Sequence, residues 1–368
     1  MDNKYNFKKI VTKFKFEGKF IDSNNNPSGH INDTYILDFE KQDGTIIKYV
    51  LQKINLGIFG DAERLMENIT AVTKHIAEKV RLEGGNPLRE TLNVIQTIDG
   101  KNFYEDEKGQ CFRAFHFIDN AKTYQMVEEP KHMYTTGKAL GKFQKQLNDF
   151  PAEKLYETIA DFHNTAKRYE TFLEAVKLDK AGRVKDVKEE IDFIMDRHNE
   201  MSILNDMLEK NELPLRVTHN DTKFNNIMID INTGEGVALV DLDTVMPGLS
   251  LYDFGDAVRS GTTTALEDEV DLSKVSFDIN LFEQFTKGYL EEMKELLTEN
   301  EIKNLAFSGK LITLELAMRF LTDYIDGDLY FKIDRVNHNL DRARNQLKLT
   351  KEIENSMDKM NEIVKKYI

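Results

Sequence analysis

The densest group of chemically able side chains is His219-Asn220-Asp221-Thr222-Lys223-Phe224-Asn225-Asn226. A β-type run continues to Asp230, a turn at Gly234 reverses the chain, and an apolar run from Val237 ends on Asp241. Two β segments around a tight loop can bring Asp221, Asn226 and Asp241 together, although Asn226 and Asp241 lie 5 and 20 residues beyond Asp221. Phosphoryl transfer needs such a set: a carboxylate that orients a hydroxyl and takes its proton, and oxygen ligands that hold a hard divalent cation against phosphates. Asp221 has the first character, and Asn226 with Asp241 the second. An amide oxygen beside a carboxylate holds magnesium without adding excess negative charge near a triphosphate. Lys223 either faces the transferring phosphate or pairs with Asp221.

Residues of these types also gather in turns for backbone reasons alone. A dense polar loop between two β runs, with a carboxylate closing the second, favours a site. A glycoside hydrolase would use Asp221 and Asp241 as two flanking carboxylates. Asn226 and Lys223 between them favour a metal–phosphate site instead.

Elements along the whole chain must position this loop. Asn32 to Phe39 and Thr45 to Ile54 are strands joined by the turn Lys41-Gln42-Asp43-Gly44. Leu65, Ile69, Val72 and Ile76 repeat at helical spacing behind Asp61 as cap, which predicts a helix over 61–79. Arg89 to Ile98 and Gln110 to Ile118 are strand candidates. Helices are expected over 134–150, from Pro151 to about 166, over 184–209, and through most of the chain beyond Leu281. The fold class is α+β: a small antiparallel sheet lobe with one key helix, 1–118, then a large, mainly helical lobe, 119–368.

Composition narrows the function. The chain has 368 residues, 31% of them charged, and a net charge of -14. That balance argues against a general grip on nucleic acid. Cys111, the single cysteine, excludes an intrachain disulfide and a multi-thiolate zinc site, and is expected to be a buried thiol. No stretch has the 18 or so apolar residues of a membrane span, and Met1 to Lys19 does not read as a signal peptide. A cytoplasmic protein, monomeric or weakly dimeric, is expected.

The loop from His219 to Asn226 resembles the phosphotransferase loop of aminoglycoside phosphotransferases and choline kinases, which share the protein-kinase-like fold. Asp221 matches the catalytic aspartate, Asn226 the first metal ligand and Asp241 the second. Asn220 replaces the common glycine. That departure, with Thr222-Lys223-Phe224, is more similar to the N-acetylhexosamine 1-kinases. So are Gly29-His30-Ile31-Asn32, Leu51-Gln52-Lys53-Ile54, Gly85-Asn86-Pro87 and Arg319-Phe320-Leu321-Thr322-Asp323-Tyr324. The resemblance implies a two-lobed kinase that uses ATP and Mg2+ to phosphorylate the anomeric hydroxyl of a small-molecule sugar. Amino alcohols, aminoglycosides and homoserine are alternative acceptors, and a catalytically inactive binding protein is a further alternative.

The resemblance also implies roles elsewhere. The turn at Gly29 and Ile31 would cover phosphates, with His30 as a sugar contact. Glu67 resembles the helix glutamate that pairs with the strand lysine of kinases. That lysine's position falls on Gln52, with Lys53 next to it pointing to the other face. Phe115 to Phe117 resembles the hinge whose backbone reads adenine. Arg319 and Tyr330 would contact the sugar, although Arg319 could equally pair with Glu315 one turn away. The acidic run Glu267-Asp268-Glu269 could line a pocket for a cationic acceptor. Asp253-Phe254-Gly255 spells the kinase metal triplet, but Asp241 ends an apolar strand as the ligand should. Asp253 and Asp256 are read as braces for the loop, or Asp253 as a helix cap. Gly137 to Lys142 misses the P-loop pattern by one residue. His163 is read as a packed helix residue.

Overall fold

The structure, a computed structural model, describes residues 4–26 and 31–368. The chain opens with α1 (Phe7–Val11), β1 (Lys19–Asn26), β2 (Asp33–Glu40) and β3 (Ile46–Lys53). After α2 (Leu56–Phe59), α3 (Ala62–Leu82) and α4 (Pro87–Glu90) come β4 (Val94–Ile95), β5 (Tyr104–Glu105) and β6 (Cys111–His116). The strands form one antiparallel sheet ordered β1-β2-β3-β6-β4, with β5 also on β6. The expected hairpin runs in register from Glu40↔Ile46 to Asp33↔Lys53. β1 was not foreseen, because it is a polar, largely exposed edge strand with no apolar alternation to betray it.

Alternation sorts the sheet into two faces. Leu37, Phe39, Tyr49, Leu51, Phe112 and Ala114 pack outward under α1. Val50, Ile54, Cys111 and Phe115 turn inward to the core shared with α3 and the C-terminal part. Gln52 and Arg113, register partners across β3 and β6, belong to this inner face. Burial pushes the Cys111 thiol up to about 11, so it is inert. Asp61 caps α3 through the amides of Glu63 and Arg64, and Leu65, Ile69, Val72 and Ile76 are all buried. The strand expected over 89–98 shrinks to Val94–Ile95. Asn86 and Pro87 start a one-turn helix there, with Asn86 accepting from the Leu88 amide.

The C-terminal part follows β7 (Ala121–Lys122). It contains α5 (Pro130–Gln146), α6 (Thr165–Leu178), α7 (Lys188–Met195) and α8 (Ile203–Glu209). Four short strands come next: β8 (Arg216–Thr218), β9 (Ile227–Asp230), β10 (Gly236–Leu239) and β11 (Met246–Gly248). Then come α9 (Ser250–Gly261), α10 (Ile279–Met293), α11 (Glu299–Asp326) and α12 (His338–Tyr367). β7, β9 and β10 make one small sheet, and β8 with β11 another.

Two helix expectations are corrected. Pro151 opens only a short 3-10 turn, and helix resumes at Thr165. Asn68 of α3 holds the Tyr156 backbone in both directions, accepting from its amide at 2.9 Å and donating to its carbonyl at 2.8 Å. Tertiary bonds thus keep this stretch out of helix. The 184–209 helix is broken after Met195, where the Arg197 guanidinium takes the Phe193 carbonyl at 2.6 Å and His198 contacts that of Met195 at 3.0 Å. The glycine–lysine run from Gly137 to Lys142 is explained by packing. A Cβ on Gly137 would lie 2.1 Å from the Phe285 carbonyl oxygen, and one on Gly288 would lie 2.1 Å from that of Tyr134. These glycines let α5 and α10 touch backbone to backbone.

Candidate active site

β8 delivers the chain to His219, and α9 fixes the loop that begins there. The fully buried Asp253 carboxylate accepts the amides of His219 at 3.0 Å and Asn220 at 2.7 Å, and the Gln144 side chain at 2.9 Å. Its carbonyl accepts the Thr222 hydroxyl at 2.5 Å. Asp253 is therefore the brace read from the sequence. It lies within α9, whose cap position is Leu249. Asp256 pairs with the buried Arg259 at 2.8 Å. Asn220 has φ 63°, a left-handed conformation that favours glycine and tolerates asparagine best among the rest. This is why asparagine can stand in the glycine position. Its side chain also donates to the Thr244 carbonyl at 2.9 Å.

The loop ends where β9 begins. Asn226 donates its amide hydrogens to the Asp221 carbonyl at 2.7 Å and to Asp221 Oδ2 at 3.1 Å. That fixes the amide and leaves Asn226 Oδ1 free of hydrogen bonds among the described residues. The Val240 amide donates to the Asn226 carbonyl at 2.9 Å, extending the β9–β10 ladder to the residue before Asp241. Asp221, Asn226 and Asp241 thus meet at one end of the small sheet. Asp241 also has a positive φ, 61°.

Electrostatics at this point is frustrated. Burial, Asp243 and Asp221 push the Asp241 carboxyl up to about 6, against the pull of Lys223 and Arg113. Burial would also raise Asp221, but Lys223, His219 and Arg259 hold it below the usual carboxylate value. Lys223 Nζ lies 3.1 Å from Asp221 Oδ2. Asp221, then Asp241, raise the Lys223 ammonium despite burial. Among the described residues, no group of three or more His, Cys, Asp or Glu side chains could hold a metal ion alone. One amide oxygen and one repelled carboxylate do fit a hard cation whose remaining ligands come from phosphate and water.

The wall facing this site from the sheet differs from expectation. Gln52 does point inward. It donates to Thr34 at 3.1 Å and accepts from Arg113 Nε at 2.9 Å. Lys53 lies on the other face, near Asp33. Glu67 is exposed and makes no ion pair with this strand among the described residues; its charge acts on the Tyr156 hydroxyl, whose pKa it raises. Its neighbour Asn68 is the residue that reaches across, donating to the Val245 carbonyl at 3.0 Å. The charge on this wall is Arg113, 1% exposed and ion-paired with Asp243. Neither was foreseen; the one available signal was a lone arginine inside the apolar run 111–115. Gly29 and His30 fall outside the described residues, and Ile31 is exposed. Phe115 is paired on both sides within the sheet, and the Phe117 amide goes to the Lys48 carbonyl at 3.3 Å. The Phe117 carbonyl and both backbone groups of Ile118 make no hydrogen bond among the described residues. The open backbone of this segment therefore lies further along than Phe115.

On the opposite side, His163 is a junction. It precedes α6, and its ring contacts Glu315 Oε1 at 2.8 Å and the Asn220 carbonyl at 3.1 Å. Glu315 also accepts from Thr165 at 2.6 Å, so it is engaged and does not pair with Arg319. The Arg319 guanidinium lies over the rings of Phe162 and Phe331, 5.2 and 5.6 Å from their centroids. Among the described residues Arg168 donates only to the Phe162 carbonyl, at 3.1 and 3.3 Å. Burial and nearby Arg319 hold Arg168 below its ordinary value. Tyr330 is exposed beside Phe331, on a loop whose amides at 329–331 converge on the Asp323 carboxylate at 2.8 to 2.9 Å. The acidic run is already committed, with Glu267 on Arg259, Asp268 on His338 and Glu269 on Lys274.

Comparison with known proteins places the fold and the family. The fold is similar to that of an aminoglycoside phosphotransferase from Alicyclobacillus acidocaldarius, with TM-score 0.66, 12% identity, and 100% of this chain and 98% of that one covered. It is also similar to amicoumacin kinase in complex with AMP-PNP, Ca2+ and its ligand, with TM-score 0.59, 11% identity, and 97% and 94% covered. Choline kinase from Streptococcus pneumoniae gives TM-score 0.52 at 12% identity, with 92% and 94% covered. These likenesses establish the two-lobed kinase-like fold. Among the described residues, no helix is long and apolar enough to cross a membrane. The phosphotransferase enzyme family model matches residues 24–293, which include the whole loop, both β runs and α9, and the chain belongs to that family.

Proposed function

We propose that this phosphotransferase moves the γ-phosphate of ATP onto the anomeric hydroxyl of an N-acetylhexosamine, with Asp221 as base. The observation that carries the reaction is the meeting of Asp221, Asn226 and Asp241 at one sheet end, with Asn226 Oδ1 and the Asp241 carboxylate left without hydrogen bonds among the described residues. Asp221 Oδ2 is occupied by Asn226 and Lys223, so Oδ1 is left to orient a hydroxyl and accept its proton. Lys223 keeps that carboxylate ionised and offers positive charge to the transferring group. Asn226 Oδ1 and Asp241 would hold Mg2+, which, when bound, neutralises charge on the phosphates. A solved relative of the same fold holds AMP-PNP and Ca2+, which supports a nucleotide and a divalent cation here. The Phe117 carbonyl and the Ile118 backbone would read adenine.

The acceptor side favours a neutral substrate. Among the described residues Arg168 and Arg319 have no carboxylate partner, and Glu315, whose charge reaches both, is spent on His163 and Thr165. An aminoglycoside or amino alcohol would bring positive charge toward two guanidiniums. A sugar with hydroxyl and acetamide oxygens offers them acceptors. The test is a panel of N-acetylglucosamine, N-acetylgalactosamine, choline, ethanolamine, homoserine and an aminoglycoside, each with ATP and Mg2+, read by product mass. Phosphorylation of the N-acetylhexosamines supports the reading. Turnover of a cationic acceptor alone overturns it.

A further inference from the structure

Arg113 and Asp243 join parts of the molecule that no continuous element connects. Asp243 belongs to the short turn 242–244 that Asp241 begins. Its carboxylate is buried, with Oδ1 on Arg113 and Oδ2 accepting from Asn32 at 2.6 Å. Arg113 is aimed by Gln52, and Asn32 by the Asn55 amide at 2.9 Å. Two residues on, the Val245 carbonyl is held by Asn68 of α3. The intervening Thr244 bonds the catalytic loop instead, at 2.7 Å to the His219 carbonyl and 2.9 Å from the Asn220 amide group. The strip 241–245 is thus gripped by the sheet lobe at Asp243 and Val245, and by the catalytic loop at Thr244. Asp241 lies at the start of the strip, next to Val240, whose amide is held by the Asn226 carbonyl at 2.9 Å and whose carbonyl contacts the His219 ring at 2.9 Å.

We infer that Arg113 and Asp243 are a positioning pair. They couple the sheet lobe to Asp241 and so set its affinity for a divalent cation bound with nucleotide. The pair takes the place of a strand-lysine and helix-glutamate link, since Gln52 is uncharged and Glu67 makes no ion pair among the described residues. This rests on the nucleotide and metal reading above. Outer partners that orient a ligand carboxylate govern how well it holds its ion, and losing one costs about 10–100-fold in metal affinity.

The test reads Mn2+ binding to the full chain with ADP, by electron paramagnetic resonance, beside circular dichroism melts. Asp243→Asn and Arg113→Met should each weaken Mn2+ by about 10–100-fold, with metal-free ADP binding unchanged. The double variant should lose no more than the worse single variant, because both remove one shared contact. Arg113→Lys should recover part of the loss, and Gln52→Leu should weaken Mn2+ in the same direction but less. If Arg113→Met does not fold, Arg113→Lys and Gln52→Leu carry the decision. Folded variants that bind Mn2+ like the wild type, or single losses that multiply in the double variant, overturn the inference. Wild-type protein that binds no Mn2+ with ADP overturns the nucleotide reading itself.

Discussion

At φ 63°, Asn220 carries the residue-scale constraint on the loop. Asn220→Gly relieves the backbone and loses the hydrogen bond to Thr244, a net cost of about 1 kcal/mol. Asn220→Val adds the left-handed penalty of about 1–2 kcal/mol on top. Urea unfolding of the two variants should rank them in that order. Asp221→Asn should lower kcat by about 100–10,000-fold, the range of general-base catalysis, with nucleotide affinity retained in calorimetry. The grouping of Asp221, Asn226 and Asp241 was legible in the sequence because they lie in one loop and the strand behind it. Arg113 and Asp243 were not, because their bond spans 130 residues, and the lone arginine in an apolar run does not name its partner. His163 was read as packing. Its link to Asn220 depends on an irregular segment that no periodicity announces.

At the scale of elements, local pattern succeeded where the segment was long and its partners lay on one face. The β2–β3 hairpin, α3 and α5 are such cases. It failed where a side chain from elsewhere claimed backbone groups, as Asn68 does at Tyr156, or where one close by did so, as Arg197 does at Phe193. Gly137 opens a run that falls one residue short of a phosphate loop in the sequence, and with Gly288 it serves as a packing seam in the fold. Gly137→Ala should destabilise by about 1–3 kcal/mol through overpacking, outweighing a helix-propensity gain of at most about 1 kcal/mol. A guanidinium titration of the variant checks this. A rise in its midpoint would mean that the two helices have slack that the geometry denies.

The whole molecule is held by charges as well as by its core. Glu354 of α12 receives two bonds from Arg197, at 2.6 and 2.8 Å, and lies 3.2 Å from Lys310 of α11. Burial would raise its carboxyl, but Arg197 and Lys310 bring it down to about 2, from an ordinary 4.5. A depressed carboxyl stabilises the fold above its ordinary value, and that contribution disappears as pH falls from about 4.5 through about 2. Thermal melts of wild type and Glu354→Gln should therefore differ most near pH 7 and converge toward pH 2. A gap that widened on acidification would reverse the assigned sign. The two-lobe plan was visible in the order of strands and helices. Contacts between the lobes were not, since Asn32, Arg113 and Asn68 meet the second lobe through side chains whose direction only the fold decides.

The proposed transfer of a phosphoryl group from ATP to an alcohol, with Asp221 taking the alcohol's proton beside Asn226 and Asp241, is the event on which the other proposed roles depend. Phosphorus NMR of ATP, Mg2+ and N-acetylglucosamine or N-acetylgalactosamine, with wild type and Asp221→Asn in parallel, tests this most directly. The expected spectrum shows ADP and a sugar phosphate coupled to the anomeric proton with wild type, and unchanged ATP with the variant. Equal turnover by both proteins, or ATP left intact by the wild type with every alcohol offered, would contradict it.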